Sequence, residues 1–429
     1  MADVPTPSDC LADQCGKTKR DSSEDLDLIS SLPDVILQHI LSLIPTKFAI
    51  RTTVLSKRWR HVWSHTPSLY FPRDLYRFRL KADSINKTLT CYKAPKIITF
   101  NLCSIYIDHL PYIDGWIEFA MSRNVENLSL KFDFNSGKRY KIPEFFYINS
   151  SVKQLRVEAV ELSFHDMIPK CSVSWTSLKK LHLRYCKLSD ESLAKILSGC
   201  PILESLTLYL CDKVRVLDLS KSLRLRVLVI DGDIWVPGPT QIVAPHIHCL
   251  RLRNSQLPCT LVDVSSLTEA KLDIFFCSPQ KLKADFLQTM FLEMLEKLQN
   301  VEKLTFGANF LKVLSLAELR GVHFPSLKVK VLTLETMISQ YVIPGIVRLQ
   351  QNSPELKKLT VHTTTDDGSI PNEYIDKYLD FVGLNSAQLW SSKAMEDIIP
   401  KLTHINNVSI VFSSTKPNQN GSLNFLHEF

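Results

Sequence analysis

Three short stretches bring together side chains whose types and spacing could do chemistry. In "SKRWRHVW" at 56–63, Lys57, Arg58 and Arg60 surround Trp59, a combination suited to a nucleic-acid groove or to a protein partner. "PHIH" at 245–248 sets His246 and His248 two apart, the minimum for a pair of metal ligands. "CGKT" at 15–18 ends like a phosphate-binding loop. None of the three holds as a catalytic or ligand site. The phosphate loop needs a glycine where Leu11 stands. The two histidines open an alternating strand, where a two-residue spacing follows from the pleat. Trp59 and Trp63 are four apart and share a helix face, and no Asn or Gln stands beside them to read adenine. The charges of this stretch then form the solvated edge of a helix.

Enzyme classes fare no better. The chain has no GxSxG, HExxH or GxGxxG, and only 12 glycines in 429 residues with which to bring backbone against phosphate. Its 11 cysteines include no CxxC pair, as expected of reduced thiols rather than a disulfide framework or a zinc site. No catalytic residue, cofactor or metal is expected. A net charge of +7, from 51 basic and 44 acidic residues, falls short of a nucleic-acid-binding domain, so no nucleic-acid partner is expected. No uncharged apolar run is long enough for a bilayer, and "MADVPTPSDCLADQCGKTKR" does not read as a signal peptide. A soluble protein, cytoplasmic and/or nuclear, with no membrane partner, follows as the expectation.

What must position the basic, Trp-bearing stretch is a short apolar module. In "LISSLPDVILQHILSLIPTKFAIRTTVLSKRWRHVW" at 28–63, Pro33 and Asp34 start a helix. Its Ile36, Leu37, Ile40, Leu41 and Ile44 fall on one broad face, and Pro45 stops it. Thr46 is expected to cap a second helix and Ser56 a third. Three short helices cannot bury all of this surface among themselves, so a partner or the rest of the chain must cover the remainder.

The rest of the chain is a repeat. The pattern LxxLxL, with Ile, Val or Phe allowed, recurs as "IITFNL" at 97, "VENLSL" at 125, "VKQLRV" at 152 and "LKKLHL" at 178. "LESLTL" at 203, "LRVLVI" at 225, "IHCLRL" at 247 and a degenerate "LTEAKL" at 267 follow. "VEKLTF" at 301, "VKVLTL" at 329 and "LKKLTV" at 356 complete eleven copies, with "INNVSI" at 405 a candidate twelfth. Their spacing lies in the leucine-rich-repeat range. Cys186, Cys211 and Asn309 stand three residues past a final apolar position, where a side chain can satisfy backbone groups as the strand turns away. Between strands the period becomes helical: Ser189 caps "DESLAKILSGC", and "KLKADFLQTMFLEMLEKLQN" reads as a longer outer helix.

The expected fold is therefore α/β: a small all-helical module followed by a solenoid, a horseshoe with concave parallel strands and outer helices. The expected divisions are a disordered segment over 1–25, the helical module over 26–72 and a linker over 73–96. Repeats follow over 97–362, and a tail over 363–429.

"LPDVILQHILSLIPTK" followed by "RTTVLSKRWRHVW" resembles the plant form of the F-box. "GCPILESLTL" and "NSPELKKLTV" resemble plant F-box/leucine-rich-repeat proteins, and "YLDFVGLNSAQLW" is similar to the start of their tail domain. The resemblance implies docking on a Skp-type adaptor, and through it on cullin and a RING protein, as the substrate receptor of an SCF-type ubiquitin ligase. An unidentified protein substrate would sit on the repeats. Carried over by position, Leu32, Pro33, Ile36, Leu37, Ile40, Leu55, Ser56, Arg58, Trp59 and Trp63 match the adaptor-binding motif, some of them packing the module internally. The alternatives are a recognition scaffold acting outside a ligase, or a nucleic-acid-binding protein.

Alternate strand residues point across the concave face. That rule exposes nine Lys/Arg, among them Lys180, Arg184, Arg251 and Arg253 on nearby strands, against five acids. These four are the expected substrate-binding residues, for an acidic group.

Overall fold

Every LxxLxL segment lays its outer leucines to one side, and stacking those sides builds the core. The computed structural model describes residues 28–73, 81–134, 140–159, 165–232, 236, 238–256, 259–275, 284–364, 368, 370–389 and 409–414. The expected disordered segment, 1–25, lies outside these. Thirteen parallel strands form one sheet in chain order. They begin with β1 (Ser68–Phe71), β2 (Thr99–Ile105), β3 (Asn127–Phe132) and β4 (Gln154–Ala159). Next come β5 (Lys180–Arg184), β6 (Ser205–Tyr209), β7 (Val227–Asp231), β8 (Cys249–Gln256) and β9 (Glu269–Phe275). The sheet ends with β10 (Lys303–Gly307), β11 (Val331–Thr336), β12 (Lys358–Thr363) and β13 (Ser409–Ser414). Leu155, Leu181, Leu206, Leu228 and Leu250 stand in one continuous register, each buried. Ala270 keeps the same place in the degenerate repeat, so a small side chain is tolerated without loss of register.

The returning segments depart in part from the helical expectation. Helices α6 (Ile113–Ser122), α7 (Asp190–Ser198), α8 (Ala284–Lys297), α9 (Ala308–Leu319) and α10 (Ile343–Gln351) follow β2, β5, β9, β10 and β11. After β6, β7 and β8 the return is instead a short strand, Val216–Asp218, Gln241–Val243 and Thr260–Asp263, and the three pair into a second parallel sheet. Repeat length explains the change. β6, β7, β8 and β9 start only 22, 22 and 20 residues apart, whereas β5 and β6 start 25 apart. An extended segment covers about 3.3 Å per residue and a helix 1.5 Å, so the shortest repeats return extended.

The predicted turn chemistry holds. Cys211 Sγ donates to Leu183 O (3.4 Å) and Asn309 Nδ2 to Ile274 O (2.8 Å), each tying its strand end to the repeat before it. Helices α9 and α10 meet at Gly345, where a Cβ would stand 2.7 Å from Leu311 O. Ser189 Oγ accepts from Ser192 N (3.1 Å) and caps α7. Ser189→Ala should cost about 1 kcal/mol in a denaturant titration, the usual value of a lost cap. An unchanged midpoint would show that Asp190, which accepts from Arg215 N and Val216 N, holds this end alone.

The front module consists of α1 (Leu28–Ser31), α2 (Asp34–Ser42), α3 (Thr46–Arg51) and α4 (Trp59–Val62). It is joined to the solenoid without a free linker among the described residues. β1, within the range expected for the module, is the first strand of the main sheet, so the sheet starts upstream of residue 97. Thr46 does not cap α3, whose N-cap is Pro45. Its Oγ1 accepts from Tyr70 N (2.8 Å), locking the helix to β1. In α5 (Ala82–Cys91), Ile85 and Leu89 enter the solenoid core, and the Tyr92 hydroxyl just beyond donates back to Thr66 O (2.6 Å).

Candidate interaction surfaces

Helix α2 carries two apolar stripes rather than one. Leu37 and Leu41 point inward and pack with Ala49, Trp59, Val62 and Trp63 into a core separate from that of the solenoid. One position earlier in each turn, Ile36 and Ile40 point to solvent. Val35, Leu43, Phe48, Val54 and Leu55 are also exposed, Val54 by 85% and Leu55 by 64%. Seven large apolar side chains on a module this small mark an interaction surface.

The expected adaptor residues therefore divide. Ile36, Ile40, Leu55, Pro33 and Ser56 are exposed. Leu37, Trp59 and Trp63 are interior positions, the ones of the set that pack the module internally, because the module is too small to close its core without its two largest rings. Leu32 is half-buried against that core. Arg58 binds inward too: its Nε donates to Asp34 Oδ1 (2.7 Å) and its fork reaches Leu32 O, clamping the start of α4 to that of α2. Ser56 does not cap α4 as expected, since the N-cap is Arg58; its Oγ accepts only a long bond from Trp59 N (3.4 Å). Val35, Leu43, Phe48 and Val54 complete the exposed set and were not singled out from sequence. Their signal was the surplus of apolar positions over what one helix face can hold.

The concave face opens beside this module. A cavity of about 780 Å³ runs from Ser42 and Leu43 at the end of α2 across the strands to Thr305 on β10. Lys180, Arg251 and Arg253 line it, as expected, and Arg184 stands on the same face just beyond it. Their charges are not equally available. Arg251 lies 3.9 Å from Glu269, Arg253 lies 3.9 Å from Asp231, and Lys271 binds Glu335 at 2.5 Å.

Next to Arg184 in the register, Glu158 on β4 gathers a cluster of bases. Its Oε1 is 2.7 Å from Arg156 Nε and 3.4 Å from His182 Nε2, and its Oε2 is 3.8 Å from Lys131 Nζ. Burial pushes the Glu158 carboxyl up, but its bond to His182 and the charges of Arg156, His182 and Lys131 overcome this and hold it at about 2. Burial also pushes the His182 imidazole down, against the pull of Glu158. The cluster is thus a carboxylate held between the cations of Arg156 and Lys131, with the His182 imidazole beside it.

Among the described residues, no group of three or more His, Cys, Asp or Glu side chains could hold a metal ion, and no helix is long and apolar enough to cross a membrane.

Comparison with known proteins fits the same division. The F-box domain family matches residues 29–70, and the leucine-rich-repeat domain family described as At1g61320/AtMIF1 matches residues 91–371. An F-box protein of Arabidopsis thaliana, At1g49610, is 64% identical over 340 residues, covering 79% of this chain and 85% of its own. The Arabidopsis F-box/LRR-repeat protein At3g03360 is 60% identical over 379 residues, 86% of this chain and 77% of its own. A second, At5g02910, is 55% identical over 373 residues, 87% and 80% of the two chains. With the helical module and the solenoid each matched, and relatives of this identity along most of its length, the chain belongs to the plant F-box/leucine-rich-repeat proteins.

Proposed function

We propose that this chain is the substrate-recognition subunit of an SCF-type cullin–RING ubiquitin ligase. Its F-box docks on a Skp-type adaptor, and its leucine-rich repeats hold a protein substrate. The observation that carries the reading is the exposed apolar set of the module: Val35, Ile36, Ile40, Leu43, Phe48, Val54 and Leu55 stay in water although the core beneath them is complete. Family membership supports the same role, since proteins of this kind are typically non-catalytic adaptors. The contribution to catalysis is proximity: a substrate held beside the transfer machinery reacts as if at high local concentration. The open concave cavity, which begins at the end of α2, supports the placing of substrate close to the adaptor side.

Co-expression with a Skp-type adaptor, cullin and RING protein should yield one complex that elutes as a single species. Mass spectrometry of proteins retained by the inactivated ligase should then identify the substrate. An adaptor that elutes apart from the folded chain would overturn the proposal. Retention of adaptor without cullin would point to a scaffold acting outside the ligase.

A further inference from the structure

Arg184 differs from the other bases of the concave face. In the strand register it stands between Glu158 on β4 and Tyr209 on β6. Both oxygens of Glu158 are turned to Arg156, His182 and Lys131. The next acid along, Asp231, faces Arg253. Arg184 Nε is buried and has no hydrogen-bond partner among the described residues. Its guanidinium lies instead over the Tyr209 ring, 4.3 Å from the centroid, with the Tyr185 ring at 5.3 Å.

Tyr185 is held at φ +53°, in the left-handed region that a bulky side chain rarely enters. Leu210, the corresponding residue after β6, has the same conformation at φ +50°, so this turn belongs to the repeat and sets Tyr185 beside the strand end. Here the tyrosines shield a face of the guanidinium from water and supply no acceptor for its edge. Charge around it is lopsided as well, because Lys131, Arg156 and Arg184 surround a single carboxylate. An incoming anion would meet a stacked, partly dehydrated fork with its Nε donor unused, the setting in which a charge-assisted pair is strongest.

We propose that Arg184, seated on Tyr209, receives an acidic side chain of an extended peptide segment of the substrate, through either a carboxylate or a phosphoryl group. This rests on the reading of the concave face as the substrate surface. A peptide suits the site better than a free ion, since the adjoining cavity of about 780 Å³ is far larger than one oxyanion. A polyanion such as nucleic acid suits it worse. Glu158, Asp231, Asp273 and Glu335 interrupt the row of bases and would repel a continuous line of phosphates.

Fluorescence anisotropy on the full chain in complex with adaptor tests this. The probes are twelve-residue peptides that alternate glycine with glutamate, phosphoserine, serine or lysine. Saturable binding of the glutamate or phosphoserine peptide, and not of the serine or lysine peptide, is expected. The tighter of the two acidic peptides identifies the oxyanion. Arg184→Gln should weaken that binding at least tenfold, and Arg184→Lys, which keeps charge but loses the planar fork, should fall between. Lys179→Gln, which removes an equal charge away from the cavity, should change it less than twofold. Tyr209→Leu, which removes the shelf alone, should weaken it at least threefold and gives an independent reading if Arg184→Gln melts early.

Equal effects of Arg184→Gln and Lys179→Gln would overturn the assignment, as would failure of both acidic peptides to bind. The two readings fail separately. Lost peptide selectivity with adaptor still bound overturns only the role of Arg184, whereas an adaptor that never bound overturns the receptor reading.

Discussion

Changing Ile36 and Ile40 together to Asp should reduce adaptor affinity by more than a hundredfold and leave the module folded. The two side chains are 44% and 42% exposed, so a carboxylate at either place stays hydrated in the free protein. Substitutions at such positions usually move stability by about 0.5 kcal/mol or less. Covered by a partner, each carboxylate would lose its water without gaining a counter-charge. That costs several kcal/mol per ion, and about 2.8 kcal/mol in total already accounts for a hundredfold.

Trp59→Ala must fail differently. The ring is interior, and truncating a buried Trp costs about 3–5 kcal/mol, comparable to all that so small a core can supply. Adaptor capture would then be lost with the module itself. Pull-down combined with limited proteolysis separates the cases: resistant but unbound for the aspartate pair, cleaved and unbound for Trp59→Ala. Full adaptor binding by a protease-resistant Ile36→Asp/Ile40→Asp protein would refute the proposed docking face.

Glu158→Gln should lower stability at pH 7 by about 3 kcal/mol, and the deficit should shrink on acidification. The unfolded chain titrates this carboxyl at about 4.3, and the folded one holds it at about 2. A depressed folded pKa contributes stability that is complete above about 4.3 and lost as pH falls toward 2. Every tenfold loss of proton affinity on folding corresponds to about 1.4 kcal/mol, which gives the stated size. Glutamine keeps the shape but leaves Arg156 and Lys131 without their carboxylate. Paired urea titrations at pH 7 and pH 3 cancel the carboxylates that both proteins share. A gap that is absent at pH 7, or equally wide at pH 3, would show that the cluster is not held by this charge.

Legibility followed the range of the interaction. The strands announced themselves because Leu181 and Leu183, or Leu206 and Leu208, place their burial two residues apart, a spacing fixed by the backbone alone. β1 was silent: "SLYF" is too short to show a period, and only Thr46 and the edge of β2 make it a strand. Within α2, Leu37 and Ile36 are chemically alike, and no local rule says which will face the ring of a tryptophan more than twenty residues away. Arg58 looked like a free cation because Asp34, its partner, lies on another helix. On the concave face, period two correctly placed Lys180, Arg184, Arg251 and Arg253 on one side. Which of them remains unpaired depends on what stands across the register, a relation between strands 20 to 30 residues apart.

The joint between the F-box and the first strand bears on which lysines of a substrate can be modified. Thr46 grips β1, β1 pairs with β2, and Tyr92 reaches back to Thr66, so the described residues offer no swivel between the docking face and the concave face. Under the proposed function, such a receptor acts as a fixed jig. The bound segment is presented at one bearing and one height above the ligase. Lysine choice then follows from where the substrate carries its recognition segment rather than from searching by a loose arm.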